Sequence, residues 1–216
     1  MTQPVYHVSL DNWNTLAIPN PKFAQARMEF LSEKTNYDIV EVTKQYRSVK
    51  KEMDDKAEKE GLGFATETVI GKLLKRFDIH PNRYKVDYVS KGFIKLFRKY
   101  PPIILDEIKD ALKLLDAKGI TYNVTSNTNF ISGYTIKKTI LHDINFAFTL
   151  FSDEELFSKP HQAMFDKIVE KSGVKRENIL HIGDNKICDG LGAEKAGMQY
   201  IVIDNPNELA KVLKSI

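Results

Sequence analysis

The chain has 216 residues, 42% hydrophobic and 28% charged, with a net charge of +3; this suits a globular protein of one domain with an insertion, or of two small domains. Lysines scattered along helical segments do not form the basic stripe of a nucleic-acid binder, and no apolar run nears the roughly 20 residues of a membrane span. The single cysteine, Cys188, excludes an internal disulfide framework, and the start Met1-Thr2-Gln3-Pro4-Val5 lacks a basic-then-apolar leader, so the expectation is a cytoplasmic protein with neither nucleic-acid nor membrane partners.

The first apolar run, Val5–Leu10, reads as a strand and ends at Asp11-Asn12-Trp13-Asn14-Thr15. Taken alone, Asp11 suits a turn or a cap as well as a ligand crevice. Asn14 tolerates left-handed backbone angles, which suits a tight loop turning its amides toward an anion, and Thr15 offers a hydroxyl or a loop cap. From Ile18 to Arg98 the chain breaks its alternation, with four helical segments and no strand: Phe23–Thr35, Ile39–Lys59, Ala65–Phe77 and Asn82–Arg98. Gly61-Leu62-Gly63 separates the second from the third, and His80-Pro81-Asn82 supplies a breaker and a cap before the fourth. So long a helical run after one strand reads as an insertion, either covering the sheet edge or lying over the carboxyl ends of the strands as a cap; the cap is preferred, because the insertion is rooted beside Asp11.

Alternation then resumes. Helix Ile104–Lys118 leads to strand Thr121–Thr125, which ends at Ser126-Asn127; these residues cap a helix equally well or donate to phosphate oxygens. Helix Ile131–Leu141 leads to strand Phe146–Phe151, an acidic turn Ser152–Glu155, and Lys159-Pro160, where the proline fixes the chain beside the lysine. Helix His161–Ser172 leads to strand Asn178–Ile182 and then Gly183-Asp184, with Asp189 following. Two acids around one loop can serve a hard cation such as Mg²⁺, or cap the next helix. Helix Gly190–Ala196, strand Gln199–Val202 and helix Pro206–Leu213 complete the chain. Strands alternating with helices predict an α/β fold, a Rossmann-like parallel sheet flanked by helices, with a small all-helical cap. The expected division is a core of residues 1–17 and 99–216 and a cap of residues 18–98.

Four polar motifs at one end of a sheet, in this order and with an insertion after the first, resemble the haloacid dehalogenase superfamily of aspartate-nucleophile hydrolases over nearly the whole chain. The resemblance implies that Asp11 attacks phosphorus and is later released by water. It also implies that Mg²⁺ is held by Asp11, the backbone carbonyl of Trp13, Asp184 and Asp189, and that Ser126 and Lys159 bind phosphoryl oxygens. Trp13, Asn14, Thr15 and Asn127 are the expected substrate contacts, and the expected substrate is a small phosphorylated metabolite.

Trp13 departs from the family pattern, which places an acid–base Asp there. An indole donates a hydrogen bond but exchanges no proton at neutral pH. That leaves a substrate with a good leaving group, another residue as proton source, or a phosphate-ligand binding protein with little turnover. A 2-haloacid dehalogenase is the further alternative, disfavoured because such relatives generally lack the Gly-Asp arrangement kept here. Trp13 itself either packs as an apolar plug or stacks on a ligand. In the insertion, Arg27, Tyr46 and Arg47 are read as substrate contacts or as ordinary helix residues. His7 and His181 are read as core histidines.

Overall fold

Five short strands run parallel in one sheet: β1 (His7–Leu10), β2 (Thr121–Ser126), β3 (Phe148–Phe151), β4 (Ile179–Gly183) and β5 (Gln199–Val202), in the order β3-β2-β1-β4-β5. This computed structural model describes residues 3–216, so Met1 and Thr2, the start of the segment read above for a leader, lie outside the described residues. Among the described residues no helix is long and apolar enough to cross a membrane.

Each side chain in a strand faces opposite to the next, and the two faces of the central strands differ in chemistry. Val8, Leu10, Val124, Leu180 and Ile182 face one way and join the larger hydrophobic core. The alternate positions His7, Ser9, Asn123, Thr125 and His181 are all polar and fully buried. Buried polar groups need partners, and these supply one another across three strands. His7 lies 2.7 Å from the Thr121 hydroxyl and 2.9 Å from Asn123 Oδ1, while Asn123 Nδ2 donates to Thr125 Oγ1 at 2.7 Å. The Thr125 and Ser9 hydroxyls are 3.1 Å apart, and Ser9 Oγ is 3.0 Å from His181 Nδ1. The register that pairs Ser9 with both Asn123 and His181 brings these residues side by side.

The insertion is helical, and Asn82 caps its last helix as expected. Asn20 caps α1 (Pro21–Thr35), Asp38 caps α2 (Ile39–Glu60), α3 is Thr66–Lys75, and Asn82 caps α4 (Arg83–Lys99). Helix α2 stops at Gly61, whose φ of 68° is easy only for glycine. The two roots of the insertion pair through Ile18 and Ile103, which exchange backbone bonds of 2.8 and 3.0 Å. Its far side is tied to the segment before Lys159: Gly63 N donates to Leu156 O, Ser158 N to Gly61 O and Ser158 Oγ to Leu62 O, at 3.0, 2.9 and 2.8 Å.

The remaining helices are α5 (Asp106–Ala117), α6 (Gly133–Ile136), α7 (Ser152–Glu155), α8 (Gln162–Ser172), α9 (Gly192–Lys195) and α10 (Pro206–Ser215). Helices α5 and α10 cover the apolar face; α8 and α9 cover the polar face with Met164, Phe165, Ile168 and Ala193. Three segments differ from the sequence expectation. The helix expected over Ile131–Leu141 is α6 followed by a π-helical turn, Lys137–Leu141, and its start is set by Ser132, whose hydroxyl accepts from Thr135 N. The helix expected from Gly190 begins at Lys186 with another π-helical turn, because Asn185 Oδ1 accepts from Ile187 N and Cys188 N. The acidic turn is a full helical turn, closed by Leu156 at a φ of 62°.

Asn123 links the two halves of the polar chain, so Asn123→Leu should lower stability by about 1–3 kcal/mol, the scale for leaving buried partners unsatisfied. Urea denaturation measures this; an unchanged midpoint would show that the chain of hydrogen bonds contributes nothing.

Candidate active site

The four motifs meet at the carboxyl edge of the sheet. Asp11 directly follows β1 and its amide extends the ladder to β4 by donating to Ile182 O at 2.9 Å. Lys159 follows β3, while Asp184 and Asp189 follow β4. Above them lies a cavity of about 330 Å³ lined by Asp11, Trp13, Asn127, Lys159, Asp184 and Asp189 from below and by Lys50, Asp54, Ala57, Glu58 and Phe64 from the insertion.

Lys159 is the centre of this arrangement. It is 1% exposed, and its Nζ donates to Asp11 Oδ1 at 2.7 Å and to Asp189 Oδ1 at 2.5 Å. Its backbone is held by Asn127, whose Nδ2 donates to Lys159 O and whose Oδ1 accepts from Lys159 N, both at 2.8 Å. Asp189 is fixed from two further sides: His181 Nε2 lies 2.9 Å from Oδ1, and Asn185 N donates to Oδ2 at 3.0 Å. Gly183 leaves the space for that carboxylate, since a Cβ there would stand 2.1 Å from Asp189 Cγ.

Burial pushes the Asp11 carboxyl upward; Lys159 opposes this, and the charges of Asp189 and Asp184 reinforce it. Burial also raises Asp184, opposed by a hydrogen bond from Asn14 and reinforced by Asp189. At Asp189 burial is outweighed by Lys159 and His181, which hold it well below the usual carboxylate range. Burial lowers His181, leaving a neutral ring that donates to Asp189. Burial also works against the Lys159 ammonium, but Asp11 and Asp189 outweigh it and keep it charged.

Three carboxylates therefore meet beside one ammonium, which pairs with two of them. Oxygens of Asp11, Asp184 and Asp189 lie within 4.8 Å of one another, a set of hard donors with surplus negative charge that fits a divalent cation such as Mg²⁺. Asp11 and Asp184 each keep an oxygen that accepts no hydrogen bond among the described residues, as does the Trp13 carbonyl. Asp189 is already engaged at both oxygens.

The other predicted residues fall into place unevenly. Asn14 adopts the left-handed conformation at φ 56° and its Nδ2 donates to Asp184 Oδ2 at 3.2 Å, joining the first and last loops. Thr15 is fully buried and its hydroxyl has no partner among the described residues. Ser126 is fully buried, donates to Asn127 O at 3.3 Å, and is not among the residues lining the cavity. Trp13 both packs and faces the cavity, with its ring edge-on to Phe97 at 6.4 Å. Cys188 also lines the cavity, and burial pushes its thiol up to about 12. Arg27 and Tyr46 line an adjoining cavity of about 280 Å³ that shares Trp13, Lys50, Asp54, Asn127 and Asn129 with the first; Arg47 is exposed and lines neither. Sequence reading placed His181 in the core but missed its contact with Asp189. Its two-residue spacing from Gly183 on one strand is the only local signal.

A family model described as haloacid dehalogenase-like hydrolase matches residues 7–197. The chain is 27% identical over 132 residues to a glyceraldehyde 3-phosphate phosphatase of Pyrococcus furiosus, a match covering 60% of this chain and 53% of that protein. It is 24% identical over 116 residues to the human haloacid dehalogenase-like hydrolase domain-containing protein 3, covering 51% of this chain and 44% of that one. The matches thus span about half the length of these curated relatives. Among solved structures, a 2-haloacid dehalogenase from Pseudomonas syringae pv. Tomato DC3000 superposes with a TM-score of 0.70 at 19% identity, covering 98% of this chain and 99% of that one. At that identity the likeness concerns the fold.

Replacing Lys159 by Met would strand two buried carboxylates. In metal-free buffer at neutral pH, K159M should lose about 3–5 kcal/mol of stability, the scale for breaking a buried ion pair on one side. Part of the loss should return as pH falls, because protonation removes the unpaired charge. A loss that grows steadily on acidification in chemical denaturation would contradict this.

Proposed function

The chain belongs to the haloacid dehalogenase-like hydrolase family, and from that premise we propose that it is a Mg²⁺-dependent phosphatase of a small phosphorylated metabolite, with Asp11 as nucleophile and residues 18–98 as a cap over the site. The observation that carries this reading is the meeting of Asp11, Asp184 and Asp189 around one buried lysine beneath a cavity. The acidic set also favours phosphate chemistry over carbon–halogen cleavage, which needs no metal. A phosphatase among the similar proteins agrees with a phosphorylated substrate.

In this reading Asp11, Asp184 and the Trp13 carbonyl would hold the cation, and Asp189, engaged at both oxygens, would add its charge. The cation would offset the charge between the Asp11 carboxylate and an anionic phosphate. The Asp11 carboxylate attacks phosphorus; the new P–O bond forms as the ester P–O bond breaks, the alcohol leaves with a proton, and water then releases phosphate from Asp11. Lys159 offers its ammonium to the oxygens of the transferring group, positioning that makes up most of phosphoryl-transfer catalysis. For Ser126 to take the same role, its hydroxyl must turn from the Asn127 carbonyl into the cavity. Asn14 and Thr15 shape the loop, Asn127 aligns Lys159, and Trp13 forms the wall against which the substrate lies.

The leaving group still needs a proton that Trp13 cannot give. Glu58 of α2 lines the cavity and has no hydrogen-bond or ion-pair partner among the described residues, so it is assigned as the acid. Asp54, by contrast, is tied to Lys50 and Asn129.

Phosphate release from acetyl phosphate and p-nitrophenyl phosphate, with and without Mg²⁺, tests the assignment. Metal-dependent release that disappears in Asp11→Asn is expected; halide release from 2-chloropropionate without metal would replace this reading by dehalogenation. Glu58→Gln should slow alkyl phosphates by about 10²-fold or more while sparing p-nitrophenyl phosphate, since acid catalysis matters only for poor leaving groups. Equal slowing of both ester types would remove Glu58 from the reaction.

A further inference from the structure

Arg27 is a cation without an anion. Its guanidinium carbon lies 4.2 Å from the centroid of the Tyr46 ring, 4.7 Å from that of Phe23 and 5.9 Å from that of Phe93. Such stacking occupies the flat faces of the group and leaves the N–H donors around its edge. Nε is buried without a partner, and among the described residues the guanidinium makes no hydrogen bond or ion pair with any protein acceptor. The Tyr46 hydroxyl beside it makes no hydrogen bond among the described residues, and the residue is buried.

Both side chains line the second cavity. The other charges on its wall cancel: Lys50 Nζ donates to Asp54 Oδ2 at 2.5 Å, and Asp54 Oδ1 takes Asn129 Nδ2 at 2.7 Å. Arg27 thus leaves the cavity with one unbalanced positive charge, in a setting where burial lowers the guanidinium and Tyr46, not a carboxylate, opposes this. The aromatic faces meet part of that charge, but the N–H edge has no acceptor, and a buried donor edge without one is costly enough to suit an anionic ligand.

We propose that the second cavity binds a carboxylate at the non-reacting end of the substrate, gripped by the Arg27 fork and the Tyr46 hydroxyl, so that the protein acts on a phosphorylated carboxylic acid. This rests on the phosphatase reading above. A planar monoanion matches one free guanidinium edge, whereas a second phosphate would call for more positive charge than the cavity has. The cavities share the Trp13 wall, so a short chain lying along the indole connects the two ends.

The test uses Asp11→Asn protein with Mg²⁺ and calorimetric titration, which needs no turnover. The probes are straight-chain carboxylic acids of two to six carbons phosphorylated at the far carbon, each beside the matched alcohol phosphate. At the best chain length the acid should bind tighter by a factor on the order of 10–100, the worth of a charged hydrogen-bonded contact. Arg27→Gln should bring that ratio near one; Arg27→Lys, which keeps the charge and loses the fork, should keep only part of it and serves if the Gln variant does not fold. Equal binding of acid and alcohol at every length, a ratio that survives Arg27→Gln, or preference for a bisphosphate would overturn the proposal. Loss of phosphate release from every ester by the parent enzyme would sink the phosphatase reading alone, because the binding ratio judges the cavity separately.

Discussion

The structure turns on a buried ammonium group at the floor of the cavity. A buried lysine is tolerable only if its charge is met at close range, and Lys159 meets two carboxylates from two different strand ends. Those carboxylates are acceptable in the interior for the same reason. The three groups therefore fix one another, and with them the relative positions of the loops after β1, β3 and β4. Asn127 adds the loop after β2 by gripping the Lys159 main chain from both sides. Four loops from four parallel strands are locked together by one charge. Because the acids outnumber the lysine, the lock remains short of positive charge and suits a cation.

Much of this was legible in the sequence, and the reason is local. Short apolar runs that stop at polar residues located all five strands, and Gly61 and Asn82 punctuate the helices as expected, whereas the caps Asn20 and Asp38 emerge only from the structure. Asp11 and Asp184 stand just past strand ends and Lys159 and Asp189 further on, and it is their joint occurrence in order that marks them. Less legible were features that depend on partners far away in the chain. Asn127 looks like a ligand contact until Lys159, 32 residues later, is seen to claim its amide. His181 looks like core until Asp189 lies against it. The π-helical turns have no sequence period to announce them; they follow from where Ser132 and Asn185 place the first hydrogen bonds.

The insertion is held at more than its roots. Its α2–α3 loop is hydrogen-bonded to Leu156 and Ser158, immediately before the central lysine, and Asp54 of α2 accepts from Asn129 on the loop after β2. The wall that separates the two cavities is accordingly built from both parts of the chain. Trp13, contributed by the first loop, stands in that wall and is braced by Phe97 of α4. In the proposed reading discrimination and chemistry share a boundary, and a side chain that departs from the family pattern would become part of how the substrate is framed.

The polar face of the sheet carries an evolutionary consequence. From Thr121 through His7, Asn123, Thr125 and Ser9 to His181, each group answers the hydrogen-bonding demand of the next, and the last one touches Asp189. Replacing one member leaves a neighbour stranded in a dry interior, while replacing the whole row by aliphatic residues strands nobody except Asp189. Descent should therefore preserve these positions as a block or exchange them together. In a lineage that had turned the row aliphatic, the acid beside Lys159 would have to find a new orienting neighbour or be lost.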